Sequence, residues 1–113
     1  MASLSTRRSQ FDKLVMPNGL QAIPNASPQT LASTDCLIFQ ITVCNTTAAD
    51  IALSVTDGQG SPIKLVPDTP IATKSLICFN FEDGTLLKSG LIWQAASAGL
   101  NGEIVAFAKQ SAT

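Results

Sequence analysis

At 113 residues the chain has the length of a single domain, enough to bury roughly two-thirds of its unfolded surface. A net charge of -1 leaves no basic excess to hold a phosphate backbone, which excludes nucleic acid as an expected partner. Only 13% of residues are charged while 45% are hydrophobic; an average domain is about 25% charged, so the deficit implies a surface partly covered by neighbours.

Apolar runs reach about five residues, far short of the roughly 20 that span a bilayer, so no membrane contact is expected. The opening MASLSTRRSQFDKL lacks the apolar centre of a signal peptide, and the expectation is a protein assembled in the cytoplasm.

Residues 1–34 differ from the rest. They hold Pro17, Pro24 and Pro28, no periodic apolar run, and Arg7, Arg8 and Lys13 against Asp12 alone. Proline at this density favours extended backbone. Apolar side chains are nevertheless spread along the segment, more than a solvated tail holds. It reads as an extended arm lying on a surface, either its own domain or a neighbouring subunit. Its expected partner-binding residues are Arg7, Arg8, Phe11, Leu14, Val15, Met16, Leu20 and Ile23.

A β domain is expected over residues 35–113. In 36–44, Leu37, Phe39, Ile41 and Val43 alternate with Cys36, Ile38, Gln40, Thr42 and Cys44, the period of a strand. Residues 45–50, NTTAAD, break it with side chains that bond local backbone. Ile51, Leu53 and Val55 resume it, and the two runs read as an antiparallel pair. A turn at 57–62, DGQGSP, precedes a short strand at Ile63, Leu65 and Val66, which Pro67 and Pro70 end and place at a sheet edge. Residues 75–81 alternate again, with Ile77, Phe79 and Phe81 on one face. Glu82-Asp83-Gly84-Thr85 reads as a turn, and Ser89-Gly90 as another. Residues 91–96 form a strand with Leu91 and Trp93 inward. After a loop at 97–102, residues 103–109 set Ile104, Ala106 and Ala108 opposite Val105 and Phe107.

About six or seven short strands at roughly 8–14-residue spacing, with no helical periodicity, predict an all-β antiparallel β-sandwich, immunoglobulin-like or jelly-roll-like. Both faces of 36–44 and 103–109 are apolar, so these strands are expected to be covered on both sides.

The chemistry-bearing residues are few. There is no histidine, which removes histidine acid–base catalysis and the Ser-His-Asp and Cys-His nucleophiles. The carboxylates fall in turns or at strand ends, where Asp bonds local backbone. Residues 57–60 resemble part of a calcium loop without its later ligands. Cys36, Cys44 and Cys78 form no CxxC pair, and each sits in an apolar strand as a small hydrophobe. Trp93, the only tryptophan, reads as a core anchor. No enzyme, metal site or cofactor is expected.

The run Ile41-Thr42-Val43-Cys44-Asn45-Thr46-Thr47-Ala48-Ala49-Asp50-Ile51 resembles a segment of small β-sandwich structural proteins of tailed bacteriophages, in which a strand ends in an Asn-Thr-Thr turn. Leu86-Leu87-Lys88-Ser89-Gly90 and residues 94–102, QAASAGLNG, are similar to two further stretches of that family. The likeness covers about residues 36–108 and not the arm; Leu91 stands where the family often has Asp. It implies a virion structural protein, first a cement or decoration protein on the major capsid protein, and otherwise a tail, baseplate or fibre-network protein. A host-attachment carbohydrate-binding module is a third reading. The implied assembly is a homo-oligomer about a capsid symmetry axis, a trimer first.

Overall fold

The computed structural model describes residues 11–109. Nine strands follow in order: β1 (Phe11–Leu14), β2 (Gln21–Ala22), β3 (Gln29–Ala32), β4 (Cys36–Asn45), β5 (Ile51–Asp57), β6 (Lys64–Ile71), β7 (Ser75–Leu87), β8 (Leu91–Ala95) and β9 (Leu100–Lys109). They form two antiparallel sheets. The first runs β1-β9-β4-β7, with β2 also on β9, and the second runs β3-β8-β5-β6. The chain is an all-β sandwich. Its core lies between the sheets, with Ile38, Ile41, Val43, Leu53, Val55, Leu91, Trp93, Leu100 and Ile104 buried there.

The predicted pair of 36–44 with 51–56 does not form. β4 lies between β9 and β7 in the first sheet, and β5 lies between β8 and β6 in the second. From β4 onward only β5 and β6 are both successive and paired; every other link crosses between the sheets. Alternation shows that a segment is a strand, and it carries no information about which strand lies beside it.

Two devices inside strands also depart from the sequence reading. Along β4 the register shifts between Ile38 and Gln40 against both neighbours. This bulge at Phe39 reverses the facing of the strand. Cys36 and Ile38 face the core before it and Ile41 and Val43 after it, whereas Leu37 faces outward with Phe39. The predicted turn at 82–85 lies within β7, where the chain does not reverse. Glu82 (φ 39°) and Gly84 (φ 97°) do have turn-like backbone, but they bulge β7 opposite Phe39. A Cβ on Gly84 would lie 3.0 Å from the Phe39 ring, so glycine serves both the positive φ and the packing. The prolines place β6 at a sheet edge, as expected, yet the strand continues through them to Ile71. β9 begins at Leu100, inside the predicted loop.

The boundary expected at residue 34 falls inside the domain. β1 and β2 pair successive stretches of β9, and β3 pairs β8, so residues 11–32 close one side of both sheets. Pro17 interrupts the edge. Beside the interruption, the Ile104 N–H of β9 donates to Met16 Sδ at 3.2 Å. Gln29 lies opposite Trp93 and its Oε1 accepts the indole N–H at 2.8 Å. Trp93 is fully buried, the core anchor its sequence context predicts.

The connection from β4 to β5 is organised by Asn45, which is buried. Its Nδ2 donates to Ala49 O and Ile71 O, both at 2.9 Å. Its Oδ1 accepts the Thr47 N–H at 2.9 Å and lies 2.7 Å from Thr47 Oγ1. One side chain thus fastens the end of β4, its own turn and the end of β6, and through β6 it ties the two sheets. Gly99 (φ 123°) closes over this turn; a Cβ there would collide with Thr47 Cγ2.

Asp57 ends β5 and is buried. Its carboxylate accepts from Gln59 N at 3.3 Å, Gln59 Nε2 at 2.6 Å and Ile63 N at 3.0 Å. The 57–62 segment is a turn closed on its own backbone. Burial pushes this carboxyl up, and the three hydrogen bonds outweigh it and hold it below its ordinary value. A depressed folded value contributes stability above the unfolded value, near 3.9, that is lost as pH falls through the folded one. In urea melts between neutral and acid pH, the midpoint should fall in the acid range, and Asp57→Asn should flatten that fall. An unchanged acid profile in Asp57→Asn would remove this residue as its source.

Candidate functional site

The outer face of the first sheet, turned away from the core, carries the feature that most needs a partner. Strand register aligns four apolar side chains across it. Leu14 of β1 pairs Phe107 of β9, Phe107 pairs Leu37 of β4, and Leu37 pairs Leu86 of β7. The row runs from one edge of the sheet to the other. Its ends are open, with Leu14 at 41% and Leu86 at 39% exposure, while Leu37 in the middle is fully buried. Phe39 meets Phe107 edge to face, with ring centroids 6.1 Å apart and planes at 76°, a preferred arrangement of two ring quadrupoles.

Beside the row lies a depression of about 490 Å³ lined by Phe11, Asp12, Leu37, Phe39, Val105 and Phe107. Asp12 is its one charged lining residue. At its margin Lys109 Nζ stands 5.5 Å from the centre of the Phe11 ring, within cation–π range. An apolar centre with charge at the rim is the make-up of a protein–protein contact. It offers no convergent set of polar groups of the kind that orients a small substrate.

The bulge at Phe39 creates this surface. With strict alternation Leu37 would share the core face with Ile41 and Val43. Two consecutive outward residues, Phe39 and Gln40, put Leu37 and Phe39 on the outer face with Val105 and Phe107 of β9. The apolar character of both faces of 36–44 and 103–109 was the signal for this surface in the sequence. Which residues form it depended on the bulge and the register.

The predicted partner-binding residues separate into groups. Phe11 and Leu14 belong to this outer face. Met16 and Ile23 are buried in the chain's own core and Val15 packs against it, so these three are committed within the sandwich. Leu20, 64% exposed, stands in the link between β1 and β2. Arg7 and Arg8 lie outside the described residues.

The cysteines also divide. Cys36 is buried, and burial first and the neighbouring Asp35 charge second push its thiol up to about 12. That is an inert core thiol. Cys44 and Cys78 face outward instead, half-buried and exposed, which corrects their reading as buried hydrophobes. Gln40 Nε2 donates to Cys78 Sγ at 2.7 Å. Among the described residues no group of three or more Cys, Asp or Glu is placed to hold a metal ion, and no helix is long and apolar enough to cross a membrane.

No protein-family model, curated protein or solved structure matches the chain.

Proposed function

We propose that the chain is a virion structural protein of a tailed bacteriophage, a cement or decoration protein that seats the outer face of its first sheet on the major capsid protein and stabilises the head. The observation that carries the reading is the apolar row Leu14, Phe107, Leu37 and Leu86 with its adjoining depression. An apolar surface of that kind implies a docked partner. The likeness of residues 41–51 to phage sandwich proteins supports the choice of partner. Asn45 gives that stretch a physical role, because its turn locks the two sheets together and makes a rigid platform. A sugar-binding module is disfavoured, since the only tryptophan is fully buried.

Quantitative mass spectrometry of purified particles, separated into heads and tails, tests the reading. Many copies on heads are expected; confinement to tails would replace it with the tail, baseplate or fibre role. In a co-sedimentation assay with undecorated heads, Leu14→Lys and Leu86→Lys should each weaken binding about tenfold or more, since each buries an unpaired ammonium against an apolar surface. Both side chains are open to solvent, so the fold should survive. Full occupancy by both variants would sink the proposed face.

A further inference from the structure

The edges of the sandwich are not equally guarded. On the second sheet, β6 carries Pro67 and Pro70, which cannot donate to a new ladder, and a positive-φ break at Asp68. β1 and β3 are four residues each and bulged, and β2 is two residues long. Short, bulged or proline-bearing edges resist pairing. β7 has none of these protections over residues 75–81, SLICFNF. This stretch has no charge, no proline and no glycine, and its pairing to β4 is regular from Ser75 to Asn80. Among the described residues nothing pairs with its far side. Such a segment needs a cover if it is not to template aggregation.

We propose that the cover is a second copy of this chain, and that two β7 strands pair antiparallel about Cys78 to join their first sheets into one. The ends of the segment carry the argument. Lys74 and Glu82 flank it, both exposed and both at positive φ (52° and 39°). When Cys78 faces Cys78 of a second copy, Lys74 of each chain lies opposite Glu82 of the other. The charges are self-complementary in this orientation, whereas a parallel pairing would oppose like charges. Ile77 then faces Phe79 of the other copy on the core side, where both are only partly buried. On the outer side Leu76, 68% exposed, gains a neighbour. The interface is isologous with a two-fold axis at Cys78. It does not depend on what the protein decorates.

Sedimentation equilibrium of the full chain tests it. A dimer is expected at concentrations up to about 100 µM, the range that detects weak self-association. Lys74→Glu and Glu82→Lys should each raise the dissociation constant about tenfold, since each turns two symmetry-related attractions into repulsions. The double variant should return to within about threefold of the wild type, a rescue that general destabilisation cannot produce. Copper-phenanthroline oxidation in air should link Cys44→Ser into a covalent dimer and leave Cys78→Ser unlinked. A wild-type monomer at the highest concentration would overturn the inference. So would a dimer indifferent to the charge swaps, or swaps that fail to rescue one another while melting like the wild type.

Discussion

Asn45→Ala should cost the sandwich about 3–5 kcal/mol, lowering its melting temperature by roughly 10–20 °C. The figure follows from what the side chain holds. Nδ2 serves two carbonyls, Ala49 O and Ile71 O, and Oδ1 accepts the Thr47 N–H. The Thr47 hydroxyl lies between Oδ1 at 2.7 Å and Ala49 O at 2.8 Å, and its single proton serves one of them. A methyl group leaves these partners without a donor or acceptor. Each made hydrogen bond is worth about 1 kcal/mol, and each buried group left alone costs about 1–3 kcal/mol. Against a total stability of about 5–15 kcal/mol for a domain, one amide is a large fraction. Asn45→Asp separates the two halves of the effect. The carboxylate keeps the Thr47 N–H, loses both donors and faces two carbonyl oxygens, so it should be at least as damaging as alanine. Urea melts of the three proteins decide it. A loss below about 1 kcal/mol in Asn45→Ala would mean that water replaces the amide.

The same residue shows what could be read in advance. Asn-Thr-Thr-Ala-Ala-Asp is visibly a turn, and its chemistry is local. That the turn carries the chain from one sheet to the other is not local, because it depends on Ile71, distant in sequence. Residues 91–95 and 104–108 were legible because regular alternation set each face: Leu91, Trp93, Ile104, Ala106 and Ala108 are all buried. In 36–39 every residue is apolar, so no polar position marks the reversal at Phe39. The turn residues at 82–84 do adopt turn-like backbone, but β4 continues beside them on both sides, and the turn becomes a bulge. The candidate site inherits both difficulties. A second apolar face could be foreseen, but the row from Leu14 to Leu86 is a matter of register, which pairing with distant strands decides.

Residues 35–113 alone should not fold to the sandwich. The sequence reads as a β domain from residue 35 with an arm lying on that domain or on a neighbour; residues 11–32 are instead strands of the two sheets themselves. Removing residues 1–34 takes Phe11, Met16 and Ile23, all nearly fully buried, and each is worth roughly 1.5–3 kcal/mol in removed apolar surface. It takes Gln29, the acceptor for the buried indole of Trp93. It also strips β1 and β2 from β9 and β3 from β8, leaving ladder groups bare on one strand of each sheet. The apolar loss alone is about 5–9 kcal/mol, comparable to the whole stability of a domain. The truncated chain should lose the near-ultraviolet signal of Trp93 and aggregate through its opened edges. Because the missing elements are extended strands, a synthetic peptide of residues 11–34 supplied during refolding should restore that signal saturably, by strand addition. If the truncated chain melted cooperatively within a few degrees of the full protein, residues 11–34 would be an appendage after all, and the sandwich would be complete without its edge strands.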